Sequence, residues 1–407
     1  MRGIGWSLLL AVTGVCTACD GADAEVVSKP VTDAGTDARA PRDAETDGPS
    51  TDGGEDAALD APADAPTPAV RIGVEPEPRA GDEGFDAALR IAQLESLSAG
   101  SRAVSIDVRW DELMNDELEL RAASLASLGA RIRLVRDSGA KLSLCLALVE
   151  RAVDARPSSD LGWNTTGMTN AVRRVIDAVL ELAGDELRFL SLGLESDRYF
   201  RALPPAIGSG FVQGMQGALD YARSHPALPP NAKVGIGLTH DGWQGPTSPF
   251  ASWIQSSDAL VVSYLPLDSD LLAKSPSLVV SDLDAIYNNL VEISDGKAAV
   301  PIVLHRVGYP SSMLVSGSEE QQRAFFVGLF RALEGRRARF PFVSVYALND
   351  PGQQRCVDFR LTLGGDAQSH PDRAEAAYCS FGLHTQQGVA KSAWSEVLDG
   401  LSTFASP

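Results

Sequence analysis

Polar side chains capable of chemistry stand directly after several short apolar runs of this sequence. Carboxylates accept hydrogen bonds from hydroxyl groups, and the faces of Trp and Tyr offer broad apolar contact. Carboxylates and aromatic rings with few cations therefore suit the binding of uncharged, polyhydroxylated ligands. The candidate residues are Glu75, Asp107, Arg109, Trp110, Glu150, Glu195, Asp197, His240, Trp243, Tyr264, His305, Arg306, Asn349 and Asp350.

The apolar runs that must position these side chains number eight and alternate with amphipathic segments, which is typical of βα repetition. They are Val70–Glu75, Ala103–Val108, Lys141–Leu148, Leu187–Leu194, Lys233–Leu238, Ala259–Tyr264, Val300–Leu304 and Phe342–Leu348. Eight strands, each followed by a helix, predict an α/β fold of the (β/α)8 TIM-barrel type over 70–407. In such a barrel the active site lies at the carboxyl ends of the strands. No glycine-rich phosphate-binding motif follows any run, which disfavours a nucleotide-binding sheet.

The intervening helices are predicted from their apolar periodicity. The windows are Asp116–Asp137, Thr169–Ala183, Phe211–Ser224, Leu283–Ile293 and Ala390–Leu401. A further helix begins at Ser318, where Ser-Glu-Glu-Gln has the spacing of a capping box. It continues into Phe325, Phe326, Leu329, Phe330 and Leu333, spaced to form one buried face.

Two segments resemble motifs of the large clan of TIM-barrel retaining β-glycoside hydrolases. The segment 190–200, Leu-Ser-Leu-Gly-Leu-Glu-Ser-Asp-Arg-Tyr-Phe, resembles the strand-4 motif in which Gly-Asn-Glu carries the acid/base, here Glu195. The segment 301–312 is similar to the strand-7 motif in which a nucleophilic Glu precedes x-Gly-Tyr-Pro-Ser. Weaker similarities are the acidic, Gln-containing helix start at 318–321, the Ser-Tyr-Leu-Pro at 263–266 and the Gly-Leu … Gly-Val-Ala-Lys-Ser-Ala-Trp of the tail. The resemblance covers about 70–401 and implies a sugar ligand.

The departures from the clan concern the residues that matter most for hydrolysis. Arg306 stands where the clan has its nucleophilic Glu, and a shift of one residue gives His305 or Val307. Leu194 replaces the Asn that precedes the acid/base. A guanidinium cannot attack an anomeric carbon, and Arg306 placed opposite Glu195 would form an ion pair with it. Such a pair favours the ionised form of Glu195, which is unfit to act as a general acid.

The cysteines divide into three groups. Cys145 lies in an apolar run and is predicted to be a buried free thiol. Cys356 and Cys379 fall in one long loop after the eighth run and could form a disulfide in an oxidising compartment. The excursion 350–381 that holds them is a candidate lid or rim. Cysteine and histidine spacings typical of a metal site are lacking, so neither a metal nor a cofactor is expected.

The amino-terminal region predicts export. Arg2 followed by the apolar stretch 4–12 is typical of a signal peptide, and Cys19 after Thr-Ala resembles the lipidated cysteine of bacterial lipoproteins. We therefore predict a signal over 1–18 and a lipid anchor at Cys19; an ordinary secretory signal is the alternative. The stretch 20–69 holds 13 acidic and 3 basic residues and has no aromatic residue, so 19–69 is predicted to be a disordered linker.

Three functions remain open from the sequence. The first is a glycan-binding barrel with lost or strongly reduced hydrolysis, and the second is a glycoside hydrolase that pairs Glu195 with a relocated carboxylate: Asp350, Asp107 or Glu75. The third is a structural or protein-binding surface lipoprotein. The expected partners are an oligo- or polysaccharide and, through the lipid, the outer membrane or cell surface, a secreted or periplasmic protein being the alternative. The net charge of −19 and the lack of a basic stripe argue against nucleic acid.

Overall fold

Short runs rich in Val, Ile and Leu form a ring of parallel strands, as expected for residues that fit a sheet buried on both faces. The structure, a computed structural model, describes residues 69–79, 86–242, 250–294 and 300–405. The strands are β1 (Arg71–Val74), β2 (Ala103–Arg109), β3 (Lys141–Glu150), β4 (Val153–Asp154), β5 (Leu187–Leu194), β6 (Lys233–Thr239), β7 (Leu260–Tyr264), β8 (Ile302–Val307) and β9 (Phe342–Val345). The predicted signal peptide, most of the predicted linker and the site residues Cys19 and Trp243 lie outside the described residues.

Eight of these strands are ordered β1-β9-β8-β7-β6-β5-β3-β2, and each pairs in parallel with its neighbours. The two-residue strand β4 lies outside this order and pairs antiparallel with the end of β3. β1 and β2 meet without a ladder, through a hydrogen bond of 2.9 Å from the Arg102 amide to the Ile72 carbonyl. Gly73 permits this approach, since a Cβ there would lie 1.7 Å from the Ala103 carbonyl oxygen. The result is a nearly closed (β/α)8 barrel, as the sequence predicted.

Helices fill the connections between strands. They are α1 (Asp86–Ser98), α2 (Trp110–Leu113), α3 (Ala122–Ser138), α4 (Thr166–Ala183), α5 (Ser196–Ala202), α6 (Pro205–Arg223), α7 (Ala251–Ser256), α8 (Val279–Ile293), α9 (Glu319–Glu334), α10 (Gln353–Thr362), α11 (Gly365–Ser369), α12 (Pro371–Tyr378) and α13 (Ala393–Thr403). In the described part of the chain, none is long and apolar enough to cross a lipid bilayer.

The predicted helices with an apolar face are present, although α4, α6 and α8 begin three to six residues earlier than predicted. The Ser318 side chain caps α9 by accepting a hydrogen bond of 3.1 Å from the Gln321 amide, and all five predicted face residues of α9 are buried. The predicted helix from Asp116 is wrong over its first turns. Met114 and Leu120 form an antiparallel bridge there, with Leu118 in the left-handed conformation at φ 64°, so α3 begins only at Ala122.

The excursion after β9 is helical, which corrects the expectation of a long loop. α10, α11 and α12 occupy most of it, and a disulfide joins Cys356 of α10 to Cys379 at the end of α12, with Cα atoms 5.5 Å apart. Its apolar side chains form a cluster separate from the main core, and Tyr346, Tyr378 and Phe381 belong to that cluster. This disulfide-linked helical segment (353–379) packs over the carboxyl ends of the strands.

Candidate functional site

A β-bulge in β8, the seventh barrel strand, brings two neighbouring side chains to the barrel mouth. In the pairing with β7, Leu304 lies opposite Val262 and Arg306 lies opposite Ser263, so β8 has one extra residue there. The pairing with β9 shifts over the same stretch. A bulge re-aims side chains that would otherwise alternate between the two faces of a sheet. Both His305 and Arg306 are consequently buried at the mouth.

Arg306 is the centre of an ion-pair cluster built from three strands. Its Nη2 donates to Asp107 at the end of β2 and, over 3.2 Å, to Oε1 of Glu75 after β1. The other oxygen of Asp107 lies 2.6 Å from Nε2 of His305, whose Nδ1 lies 3.2 Å from the Ser143 hydroxyl. The expectation that Arg306 pairs with Glu195 is wrong: among the described residues its ion pairs are with Asp107 and Glu75.

Glu195 at the end of β5, the fourth barrel strand, is held by different cations. The residue is 2% exposed and adopts the left-handed conformation at φ 52°. Its Oε2 lies 3.0 Å from Nε of Arg198 and its Oε1 lies 3.7 Å from Nε of Arg151. The cations beside Glu195 are therefore Arg198 and Arg151 rather than the expected Arg306.

Arg151 is a site residue that sequence reasoning missed. Its side chain is wholly buried beyond the end of β3, and its guanidinium lies 3.5 Å from the ring centre of Phe359 in α10. It also pairs with Glu150, which accepts a further hydrogen bond of 3.0 Å from Arg109. The sequence offered one signal for it, its position directly after the candidate residue Glu150.

Two separate cavities open at the barrel mouth. The larger, about 700 Å³, is lined by Glu75, Asp107, Glu150, Arg306 and Phe359 among others, and we call it the Arg306 cavity. The smaller, about 450 Å³, is lined by Glu195, Arg198, His240, Lys274 and Tyr378 among others, and we call it the Glu195 cavity. The rings of Phe359 and Tyr378 lie 3.6 Å apart between centres. Phe359 lines the Arg306 cavity and Tyr378 lines the Glu195 cavity, so this ring pair of the helical segment stands between the two cavities, and we call it the Phe359–Tyr378 wall.

Burial and neighbouring charges shift the pKa values of the Arg306 cluster in opposite directions. Burial alone would raise the pKa of Asp107, but the charges of Arg306 and His305 outweigh it and hold that pKa far below its ordinary value of 3.8. Burial raises the pKa of Glu75 above its ordinary value of 4.5; Arg306 opposes the rise and Asp107 adds to it. Asp107 is accordingly the ionised partner of Arg306.

The depressed pKa of Asp107 predicts a pH-dependent contribution to stability. Because its folded-state pKa lies below its unfolded value, the contribution is present above about pH 4 and is lost as pH falls through the folded value. Asp107→Asn should therefore lower the free energy of unfolding most at neutral pH, and the gap to the wild type should shrink below pH 4. Urea unfolding of both proteins at pH 7, 4 and 3 measures this, and a gap that widens in acid would contradict it.

Two of the three aromatic residues predicted to contact sugar are fully buried, which corrects that prediction. Trp110 and Tyr264 are both 0% exposed, so neither offers a ring face to a ligand. Tyr264 instead donates a hydrogen bond of 2.8 Å to Asp282 and packs 5.1 Å from the His240 ring. Trp243 lies outside the described residues.

Three predicted strand-end residues are engaged by other groups of the protein. Asp197 accepts hydrogen bonds from the amide and hydroxyl of Thr239 at 2.8 and 2.7 Å, which ties α5 to the end of β6. Asn349 donates to the Glu77 carbonyl at 2.7 Å. Asp350 accepts from Lys391 at 2.7 Å, and burial raises its pKa to about 6.

One group in the described part of the chain has the composition of a metal site. Ligand atoms of Asp107, Cys145 and His305 lie within 4.8 Å of one another, a set that zinc accepts. Burial raises the pKa of the Cys145 thiol well above its ordinary value, and Sγ lies 3.5 Å from the Gly193 carbonyl. Asp107 is already bonded to His305 and Arg306. These contacts favour an internal hydrogen-bond network.

Comparison with solved structures relates this barrel to glycoside hydrolases. A GH5_18 variant from Streptomyces cattleya in complex with Manβ1-4GlcNAc has a TM-score of 0.63 at 14% identity, over 82% of this chain and 81% of that one. The exo-β-1,4-mannosidase Op5Man5 from Opitutaceae bacterium strain TAV5 has a TM-score of 0.56 at 17% identity, over 82% and 59%. A family 39 glycoside hydrolase from Bacteroides cellulosilyticus WH2 has a TM-score of 0.52 at 14% identity, over 82% and 64%.

Sequence comparison gives no such relationship, since neither a protein-family model nor a curated protein matches. The likeness is one of architecture: a nearly closed parallel eight-stranded barrel with helices in its connections. The chain has the fold of the TIM-barrel glycoside hydrolases.

Proposed function

We propose that this protein is an exported, lipid-anchored barrel that binds glycan with lost or strongly reduced hydrolytic activity. The observation that carries the proposal is the cluster in which Arg306, at the position of the expected nucleophile, holds Asp107 and Glu75. Retaining hydrolysis needs a carboxylate there, about 5–5.5 Å from the acid/base. A guanidinium has no lone pair for attack, and its charge opposes an oxocarbenium-like transition state.

The relocated carboxylates that could rescue hydrolysis are engaged elsewhere. Asp107 and Glu75 neutralise Arg306, and Asp350 neutralises Lys391. Asp107 and Glu75 also line a different cavity from Glu195. Since both carboxyl groups must flank one scissile bond, this division argues against either of them acting with Glu195.

Glycan binding is supported by the fold and by the chemistry of the mouth. The GH5_18 structures of this fold were solved with Manβ1-4GlcNAc and with GlcNAc, which makes these sugars the first probes. The Arg306 cavity combines carboxylates and guanidinium groups with an aromatic wall, a lining suited to hydroxyl-rich ligands. The proposed anchor is Cys19 in the outer membrane or at the cell surface, with 19–69 as the tether.

A combined hydrolysis and binding screen tests the proposal. We expect wild type and Glu195→Gln to release no measurable sugar from a β-glycan panel that includes Manβ1-4GlcNAc. We expect wild type to bind at least one member of that panel at millimolar concentration or below. Turnover by the wild type that Glu195→Gln abolishes would refute the loss of activity. Failure to bind any sugar would favour a structural or protein-binding role.

A further inference from the structure

Four buried polar atoms at the Arg306 cavity have no hydrogen-bond partner among the described residues. They are Oε2 of Glu75, the Ser105 hydroxyl, and Nε and Nη1 of Arg306. Their residues are only 9%, 1% and 6% exposed, respectively, and all three line the same cavity. Buried polar atoms are rarely left unpaired, and a group of them in one cavity calls for a bound partner.

The three side chains converge from different parts of the barrel wall. Glu75 follows β1, Ser105 lies in β2 two residues before Asp107, and Arg306 lies in the bulge of β8. The ion pairs to Asp107 and Glu75 fix one end of the Arg306 guanidinium. Its remaining N–H groups are therefore held in place before a ligand arrives, which lowers the cost of binding.

On the basis of the proposed function, we infer that these three residues are the main sugar contacts and that they select an uncharged sugar. The unpaired atoms are donors on Arg306, an acceptor on Glu75 and a hydroxyl on Ser105 that can do both. Adjacent sugar hydroxyls can satisfy all of them, because each hydroxyl donates and accepts. A carboxylate or sulfate has no proton for Glu75, and an ammonium has no acceptor for Arg306.

The charge of the cluster argues further against an anionic sugar. Arg306 already faces two carboxylates, so it offers an anionic sugar no free positive charge. The inference also places the ligand on the opposite side of the Phe359–Tyr378 wall from Glu195. Of the three proposed sugar contacts, Glu75 and Ser105 lie outside the two hydrolase-like motifs. Arg306 lies within one of them, at the position of the expected nucleophile.

Paired serine variants of the full chain test this assignment. An array of uncharged, uronate-bearing and amine-bearing oligosaccharides identifies the tightest binder, which is then titrated by calorimetry. We expect that binder to be uncharged. Ser105→Ala and Glu75→Gln should each weaken its binding about five- to tenfold, the value of one or two hydrogen bonds. Ser263→Ala, a buried serine of the Glu195 cavity, is the matched control and should leave affinity within about twofold.

Thermal unfolding separates this effect from misfolding. Because the Ser105 hydroxyl lacks a partner, Ser105→Ala should leave the Tm of the free protein unchanged or slightly raised while reducing the Tm shift that the sugar produces. Unchanged affinity in Ser105→Ala and Glu75→Gln, or preference for a charged sugar, would overturn the inference and leave glycan binding intact. Binding of no sugar at all would overturn both.

Discussion

Arg306→Gln is expected to lower the free energy of unfolding by about 3–5 kcal/mol, the range for removing one partner of a buried ion pair. Arg306 is 6% exposed, and its loss leaves the carboxylates of Asp107 and Glu75 facing each other without the guanidinium that they share. The size of the effect comes from those stranded charges, since the intact cluster itself need not stabilise the fold relative to apolar side chains. Urea unfolding of both proteins at pH 7 measures the difference.

The double variant Arg306→Gln with Asp107→Asn is the matched control. It removes one negative charge together with the positive one, so it should recover part of the loss, and the departure from additivity measures the coupling. A single variant within about 1 kcal/mol of wild type would show that water or a rearranged side chain compensates the carboxylates.

Removing the disulfide with Cys356→Ser and Cys379→Ser should lower the free energy of unfolding by about 3 kcal/mol. The two cysteines are 23 residues apart in sequence, and closing a loop of that size restricts the unfolded chain by about this amount in the chain-entropy model. The same change should loosen the helical segment that separates the two cavities. Thermal unfolding measures the first effect, and protease susceptibility within 353–379 measures the second.

Reductant provides the control for the disulfide experiment. It should lower the Tm of the wild type and leave the double serine variant unaffected, because the remaining described cysteine, Cys145, is a buried free thiol. An equal Tm for wild type and the double variant would mean that packing of Phe359 and Tyr378 alone fixes the segment.

The sequence predicted the fold well because apolar periodicity is a local property. Leu187–Leu194 was predicted with the bounds that β5 has. The run predicted at Val300–Leu304 is shifted, since β8 extends through His305 and Arg306 to Val307. In the sequence, the polar residues His305 and Arg306 indicated that the strand ended at Leu304. In the structure, the bulge lets β8 continue through both residues and bury them. The helices of 353–379 were missed because their apolar residues pack on a small separate cluster and not on the barrel.

The sequence identified most side chains of the site but not their partners. Asp107 and Arg306 were both candidates, yet their contact spans 199 positions and depends on which strands adjoin across the mouth. The pairing of Glu195 with Arg151 was missed for the same reason. Arg198 is only three residues from Glu195, and their contact depends on the helical turn at the start of α5. The complete burial of Trp110 and Tyr264 could not be predicted from residue type, because an aromatic ring at a strand end can serve either packing or ligand binding.

The Arg306 cluster also bears on what it would take to place an attacking group at this position. Arg306→Glu alone would assemble a third carboxylate beside Asp107 and Glu75, and three like charges around one point cannot all ionise. The new group would be partly protonated and the fold weakened. A nucleophilic carboxylate at this position therefore requires that its acidic neighbours be replaced at the same time.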